Sequence, residues 1–150
     1  MKLNKKVWLV ATLLALSATV GAEPKPEDAV SYRKGMMRGL AWNIGEMGGM
    51  VKGAVPWDQK RFAFLAARNA ALAPMAREGF TPGSAAAKSS AKPALWENLP
   101  DFDERNQALV DTSTKLAGAA QAGDAAASKQ AFIDTTKVCK GCHDKYQEKH

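Results

Sequence analysis

The sequence is poor in the side chains that bind metal ions or transfer protons in pairs. Its 150 residues include two cysteines and two histidines. A structural zinc site takes about four ligands of these types. One histidine follows the second cysteine and the other is the last residue, so the chain offers no convergent histidine pair for acid–base catalysis. These shortages argue against a zinc protein and against an enzyme.

Long apolar runs are also missing, apart from one near the N-terminus. Val7 to Leu16 is largely apolar, follows three lysines and precedes Val20-Gly21-Ala22, whose small residues suit a signal peptidase. The run is shorter than the ~20 residues of a membrane span. We therefore predict a signal peptide over residues 1–22, export to the periplasm and one mature domain over residues 23–150 without a membrane span. An uncleaved N-terminal anchor is the alternative.

The basic charge does not indicate nucleic acid as a partner. The formal net charge is +6, and it falls to +3 when the three lysines of the predicted signal peptide are removed. A nucleic-acid-binding domain of this size carries a stronger and clustered excess of cations. We therefore expect no nucleic-acid partner.

The most specific motif is Cys139-Lys140-Gly141-Cys142-His143, close to the C-terminus. Two thiols at this spacing can form thioether bonds to the two vinyl groups of one haem, and the adjacent histidine can ligate the iron. A dithiol redox site, a zinc site and a simple disulfide are the alternatives. The histidine directly after the second cysteine favours covalent attachment of one haem c through Cys139 and Cys142.

The remaining pattern predicts an all-α fold. Apolar residues recur seven apart at Val30, Met37, Ile44 and Val51, which indicates one amphipathic helix over residues 26–52. A second helix is predicted over residues 58–78, a third from residue 101 and a fourth from residue 125 to the end of the haem motif. Four such helices make an antiparallel four-helix bundle. One face of the predicted second helix carries Phe62, Leu65, Ala66, Asn69, Leu72 and Ala76.

Local signals place the ends of these helices. Asp101 is predicted to cap the third helix, with Glu104 completing a capping box. Gly123 is predicted to end that helix and Asp124 to cap the next. The proline- and serine-rich residues 81–100 are predicted to form a surface crossover tethered by Leu95 and Trp96.

Taken together, these features resemble the class II c-type cytochromes, which comprise cytochromes c′ and low-spin relatives such as cytochrome c556. The resemblance covers nearly the whole mature chain and places the haem motif on the last of four helices. It rests on the motif Cys139 to Tyr146, on Pro26-Glu27-Asp28-Ala29-Val30-Ser31-Tyr32-Arg33, Val51-Lys52-Gly53, Pro56-Trp57-Asp58, Phe80 before Pro82-Gly83, and Lys92-Pro93-Ala94-Leu95-Trp96.

The resemblance implies roles for individual residues. Cys139 and Cys142 become the thioether anchors and His143 the proximal iron ligand. Arg33 corresponds to a cation near the haem propionates, with an ordinary solvated arginine as the alternative. The resemblance also implies that two aromatic residues pack near the macrocycle, although general core packing explains them nearly as well; these are Phe80 and Trp96.

Met37 occupies the family position that faces the distal side of the iron. Its thioether could ligate the iron, giving a low-spin centre suited to one-electron transfer, or it could only fill space and leave a five-coordinate iron open to nitric oxide or carbon monoxide. The family often carries a basic residue where this chain has Gln147, which weakens the gas-binding alternative. We therefore expect a non-enzymatic electron carrier whose protein redox partners the sequence does not name.

A homodimer is also expected. The family is commonly dimeric, and small residues on the first helix would let it pack closely against its copy. These small residues are Gly45, Gly48 and Gly49, beside Met47 and Met50.

Overall fold

The computed structural model describes residues 23–149, so the predicted signal peptide and His150 lie outside the described residues. The described chain confirms the all-α prediction, and its only β-type pairing is an isolated bridge between Ala91 and Gln147. Its helices are α1 (Pro26–Val51), α2 (Gln59–Leu72), the one-turn α3 (Ala94–Glu97), α4 (Leu99–Gln121) and α5 (Ala125–Tyr146). The four long helices form the bundle, in which α4 packs against α5 and α2, and α2 packs against α1.

Helix α1 closely matches its predicted range. Pro26 stands in its first turn, where a missing N–H is harmless, and two acidic residues follow it there. After the helix, Gly53 adopts a φ of 72°, the left-handed conformation that commonly terminates a helix.

Helix α2 is shorter than predicted. It begins after Asp58, whose side chain accepts a 3.0 Å hydrogen bond from the Arg61 backbone N–H. It ends at Leu72 instead of continuing to residue 78, because Pro74 has no N–H to donate and its ring opposes a continuous helix. Residues Pro74–Arg77 form a 3₁₀ turn in its place.

Helix α4 begins earlier than predicted, and its predicted capping box is wrong. The helix starts at Leu99 with Pro100 in its first turn, so Asp101 is already inside it. The junction with α5 confirms the prediction: Gly123 has a φ of 78°, and Asp124 accepts a 2.9 Å hydrogen bond from the Ala127 N–H.

The crossover between α2 and α4 is fastened to the ends of α1 and α5. The Lys92 N–H donates to the Tyr146 carbonyl at 2.9 Å, and the Glu148 N–H donates to the Ser90 carbonyl at 2.8 Å. Leu95, predicted as a tether, is only 1% exposed. Close approach explains Gly79, because an added Cβ would lie 2.8 Å from the Ala29 carbonyl oxygen.

The buried side chains form two clusters. The first, here called the closed core, contains Met47, Met50, Phe62, Leu65, Ala66, Leu116, Ala120 and Phe132. The second, here called the open core, contains Phe80, Leu95, Phe102 and Tyr146. Gly48 faces the closed core, where its added Cβ would lie 3.4 Å from the Phe132 ring. The prediction that this part of α1 faces a second copy is therefore wrong for Gly48, Met47 and Met50, which are all buried.

One further finding concerns membranes. Within residues 23–149, none of the helices combines the length and the apolar character that crossing a bilayer requires.

Candidate functional site

Two adjoining cavities open beside the open core. The wide cavity has a volume of about 330 Å³ and the narrow cavity about 210 Å³. The two cavities lie side by side, because four residues border both; they are Met37, Phe102, Cys142 and His143. A space of this size falls within the range that binds organic cofactors.

Helix α5 brings the haem motif to this space. The haem motif lies on one side of the helix, because Cys142 and His143 follow Cys139 by three and four residues. Cys139 borders the narrow cavity, whereas Cys142 and His143 border both. Both cysteines are half-buried and carry free thiols. The disulfide alternative is therefore not realised in this structure.

The protonation of these side chains argues against thiol redox chemistry. Burial raises the pKa of the Cys139 and Cys142 thiols, whereas a reactive dithiol site lowers the pKa of its attacking cysteine. His143 is exposed on its outer side, but the partial burial of its ring lowers the pKa of His143 and favours the neutral imidazole. A neutral imidazole has the free lone pair that iron ligation requires.

Arg33 is a buried cation at the wall of the wide cavity. The residue is 3% exposed, and its guanidinium donates hydrogen bonds to the Gly79 carbonyl at 3.0 Å, Ser84 Oγ at 2.7 Å and Ser89 Oγ at 2.8 Å. Burial lowers the pKa of Arg33. Among residues 23–149, no carboxylate lies within salt-bridge distance of it. A buried charge without a counter-ion is unfavourable, so the cavity is suited to an anionic group beside Arg33.

These features fit haem c. Two thiols and an imidazole on one helix match the covalent anchors and the iron ligand, and the apolar walls match the macrocycle. A haem carries its two propionate carboxylates at the edge opposite its vinyl groups. Arg33 has no ion-pair partner in the described chain and borders the wide cavity, which Cys139 does not border, so its guanidinium is suited to those propionates. No cluster of three or more His, Cys, Asp or Glu side chains suited to a metal ion occurs in the described part of the chain.

The other predicted site residues differ in whether they border the two cavities. Met37, on α1, is half-buried and borders both cavities together with His143 of α5. Phe80 borders the wide cavity. Trp96 borders neither cavity and packs behind Phe80, with 6.3 Å between their ring centroids. Gln147 borders the wide cavity and is exposed.

Sequence reasoning missed the carboxylate that joins α4 to the end of α5. Asp101 accepts hydrogen bonds from Arg105 Nε at 2.7 Å and Tyr146 Oη at 2.5 Å, and Lys145 Nζ lies 3.0 Å away. Led by Arg105, these donors hold the pKa of Asp101 far below its ordinary value. No local sequence pattern predicts this contact, because Asp101 and Tyr146 are 45 positions apart.

Sequence reasoning also assigned no role to Asn69. Its place on the apolar face of the second helix was the available signal, since a polar side chain in a core-facing row is unusual. The structure places Asn69 at the wall of the narrow cavity, 1% exposed.

Comparison with known proteins identifies the family of this chain. A family model described as Cytochrome C' matches residues 28–147. Cytochrome c' from Alcaligenes xylosoxydans xylosoxydans is 35% identical over 125 residues, which cover 83% of this chain and 97% of that protein. The solved structure of cytochrome c prime from Shewanella frigidimarina is 39% identical, covering 85% of this chain and all of the other, with a TM-score of 0.82. A ferrous variant of cytochrome c prime from Alcaligenes xylosoxidans with bound NO is 34% identical, covering 86% of this chain and all of the other, with a TM-score of 0.79.

Proposed function

The chain belongs to the cytochrome c′ family, and on that basis we propose that it is a periplasmic, non-enzymatic protein that carries one electron on a single haem c. The observation that carries this proposal is the joint position of Met37 and His143. They lie on different helices and border the same two cavities, so both a thioether and an imidazole would be available to one bound haem. When bound, the haem supplies the Fe(III)/Fe(II) couple, and a His/Met ligand pair raises its potential.

The chain's own residues hold and orient the cofactor. Cys139 and Cys142 supply one thioether each, and because these are the only cysteines the chain has thiols for one such haem. His143 offers its neutral imidazole as the proximal ligand. Arg33 pairs with the propionates at the wide cavity, where its three hydrogen bonds hold the guanidinium in place. The rim beside Arg33 also carries Lys34 and Arg38, and no acidic residue borders that cavity in the described chain.

Replacement of Met37 tests the ligand set. If Met37 ligates the iron, the wild-type protein has a low-spin absorption spectrum with a weak near-infrared sulfur-to-iron band, and Met37→Leu becomes high-spin and binds carbon monoxide readily. The matched control is Met36→Leu, because Met36 borders neither cavity. A wild-type iron that electrochemistry cannot cycle reversibly contradicts the electron-carrier proposal.

A five-coordinate protein that binds nitric oxide is the second candidate. It is favoured by the relative solved with bound NO and by the flexibility of methionine, which can fill space without ligating. High-spin spectra in both the wild type and Met37→Leu, differing in carbon monoxide affinity alone, favour this candidate. The amide of Gln147 would then stand where the family often has a basic side chain.

The proposed compartment follows from the predicted signal peptide. Export would remove residues 1–22 and leave the haem domain in the periplasm. Mass spectrometry of the exported protein tests this, because the proposal requires the mature chain to begin at Glu23.

We also propose a homodimer, through a surface that differs from the one predicted. Trp42 on α1 is 71% exposed and Phe64 on α2 is 52% exposed, and aromatic side chains are enriched at protein interfaces. Gly45 has open space around its added Cβ and leaves room for a second copy beside Trp42. We expect light scattering to report twice the monomer mass for the wild type and the monomer mass for Trp42→Glu. The control is Lys115→Glu at an exposed position of α4, which should keep the dimer mass.

A further inference from the structure

Two asparagines form a buried pair next to the narrow cavity. Asn43 on α1 is fully buried, and its Nδ2 donates to Asn69 Oδ1 of α2 at 3.1 Å. The bond fixes which end of the Asn69 carboxamide faces Asn43. In this orientation the Asn43 carbonyl oxygen has no partner. The opposite orientation would pair that oxygen but leave both N–H groups of Asn43 unpaired instead of one, which is the less favourable arrangement.

This bond leaves the Asn69 amino group available to the cavity. Asn69 borders the narrow cavity, and its Nδ2 donates to no group within residues 23–149. Apolar residues form most of the rest of the wall, among them Leu40, Ile44 and Leu109. A hydrogen-bond donor in such surroundings is costly to leave unpaired, so the site favours a small occupant that accepts a hydrogen bond.

The position of Asn69 indicates which face of the haem it serves. It borders the narrow cavity together with Met37 of α1 and His143 of α5. Its hydrogen bond runs to Asn43 of α1, the helix that carries Met37, and α2 packs against α1 and α4. Asn69 therefore lies beside the helix of Met37. The propionate-binding Arg33 borders the wide cavity and not the narrow one. Propionates at Arg33 therefore do not satisfy Asn69.

We propose that Asn69 is a positioning residue that donates a hydrogen bond from Nδ2 to a small neutral ligand, a diatomic gas or water, held on the Met37 side of the haem. Asn43 acts through Asn69 by holding its carboxamide in the donating orientation. This inference rests on the proposed haem function and adds to it a polar group that selects for occupants able to accept a hydrogen bond.

The test uses carbon monoxide as the probe on the ferrous haem-loaded protein. A nearby donor lowers the C–O stretching frequency, so Asn69→Leu should raise that frequency and speed carbon monoxide dissociation about fivefold, the effect of one net hydrogen bond. The measurements are repeated in Met37→Ala, where the methionine cannot occupy the ligand position. Asn106→Leu is the matched comparison, because Asn106 borders the same cavity from α4 but no side chain in the described chain orients its carboxamide, so its replacement should raise the frequency less than Asn69→Leu does.

A folding defect is separated from the proposed effect by a double variant. Asn43→Leu/Asn69→Leu removes both partners at once and avoids an unpaired buried amide; it should show the same raised frequency as Asn69→Leu. An unchanged frequency in both Asn69 variants, or no carbon monoxide binding even in Met37→Ala, overturns the inference and leaves the pair as a structural contact. Absence of a c-type haem spectrum would instead overturn the proposed function, so the two failures are distinguishable.

Discussion

The two ends of the bundle use the same four helices for opposite purposes. In the closed core, Phe62 and Leu116 are fully buried, and Trp57 packs on Phe62 with 4.5 Å between ring centroids. In the open core, Phe102 and Tyr146 are also buried, but both border the wide cavity. Side chains complete the packing at one end, whereas the other end has room for a cofactor.

Polar side chains differ between the two ends in the same way. The open end buries the charge of Arg33, which has no ion-pair partner within the described chain, and its cavity wall carries the unpaired amino group of Asn69. Both are unfavourable in the chain alone. The difference indicates that the stability of the open end depends on the bound cofactor. The stability of the closed end depends on the packing of the chain alone.

Removal of both thiols is expected to have the largest effect on this contrast. Cys139→Ala/Cys142→Ala should lose all covalently held haem, because each thioether needs its own thiol. Acid–acetone extraction measures the covalent fraction, and hydrogen exchange should show lost protection around Phe80 with protection retained around Phe62. The single variants, each with one thiol, serve as controls. If haem stays with the double variant after extraction, covalent attachment through these two cysteines is contradicted.

A pair of leucine truncations measures the contrast in free energy. Leu116→Ala in the closed core should lower the free energy of unfolding by about 2–5 kcal/mol in both the haem-loaded and the haem-free protein. Leu95→Ala, at the wall of the wide cavity, should cost less in the haem-free protein, because Leu95 there lacks the contacts that a haem would add on the cavity side. Urea unfolding of both forms provides the comparison. Equal costs of Leu95→Ala in the two forms would mean that the open end does not depend on its cofactor.

The sequence predicted the closed end better than the open end. Heptad spacing, Asp58, Gly123 and Asp124 are local signals, and local signals predicted the bundle and most helix boundaries. The errors have local causes too, since Pro74 ended α2 early and Pro100 started α4 early. The motif Cys139 to His143 predicted the cofactor but not its surroundings.

The rest of the site could not be predicted because it depends on contacts between distant positions. Arg33 reaches Ser84 and Ser89 across more than 50 residues, and Asn43 reaches Asn69 across 26. No periodicity relates such pairs. The sequence alone therefore left two interpretations of Arg33, a cation near the haem propionates and an ordinary solvated arginine, and only the fold shows that it is buried.

The smallest expected effect concerns the contact that closes the rim of the open end. Arg105, Tyr146 and Lys145 hold the pKa of Asp101 below its ordinary value of 3.8. A carboxylate whose pKa is lowered by folding stabilises the native state above that ordinary value and loses this contribution as the pH falls further. Asp101→Asn, which carries no charge at any pH, should therefore be less stable than the wild type near pH 7, with the difference shrinking below about pH 4. Tyr146→Phe removes one donor of the three and should show a weaker form of the same trend. Thermal unfolding across this pH range measures the stability of both variants. If the difference between Asp101→Asn and the wild type stayed constant with pH, the carboxylate would not stabilise the rim through its charge.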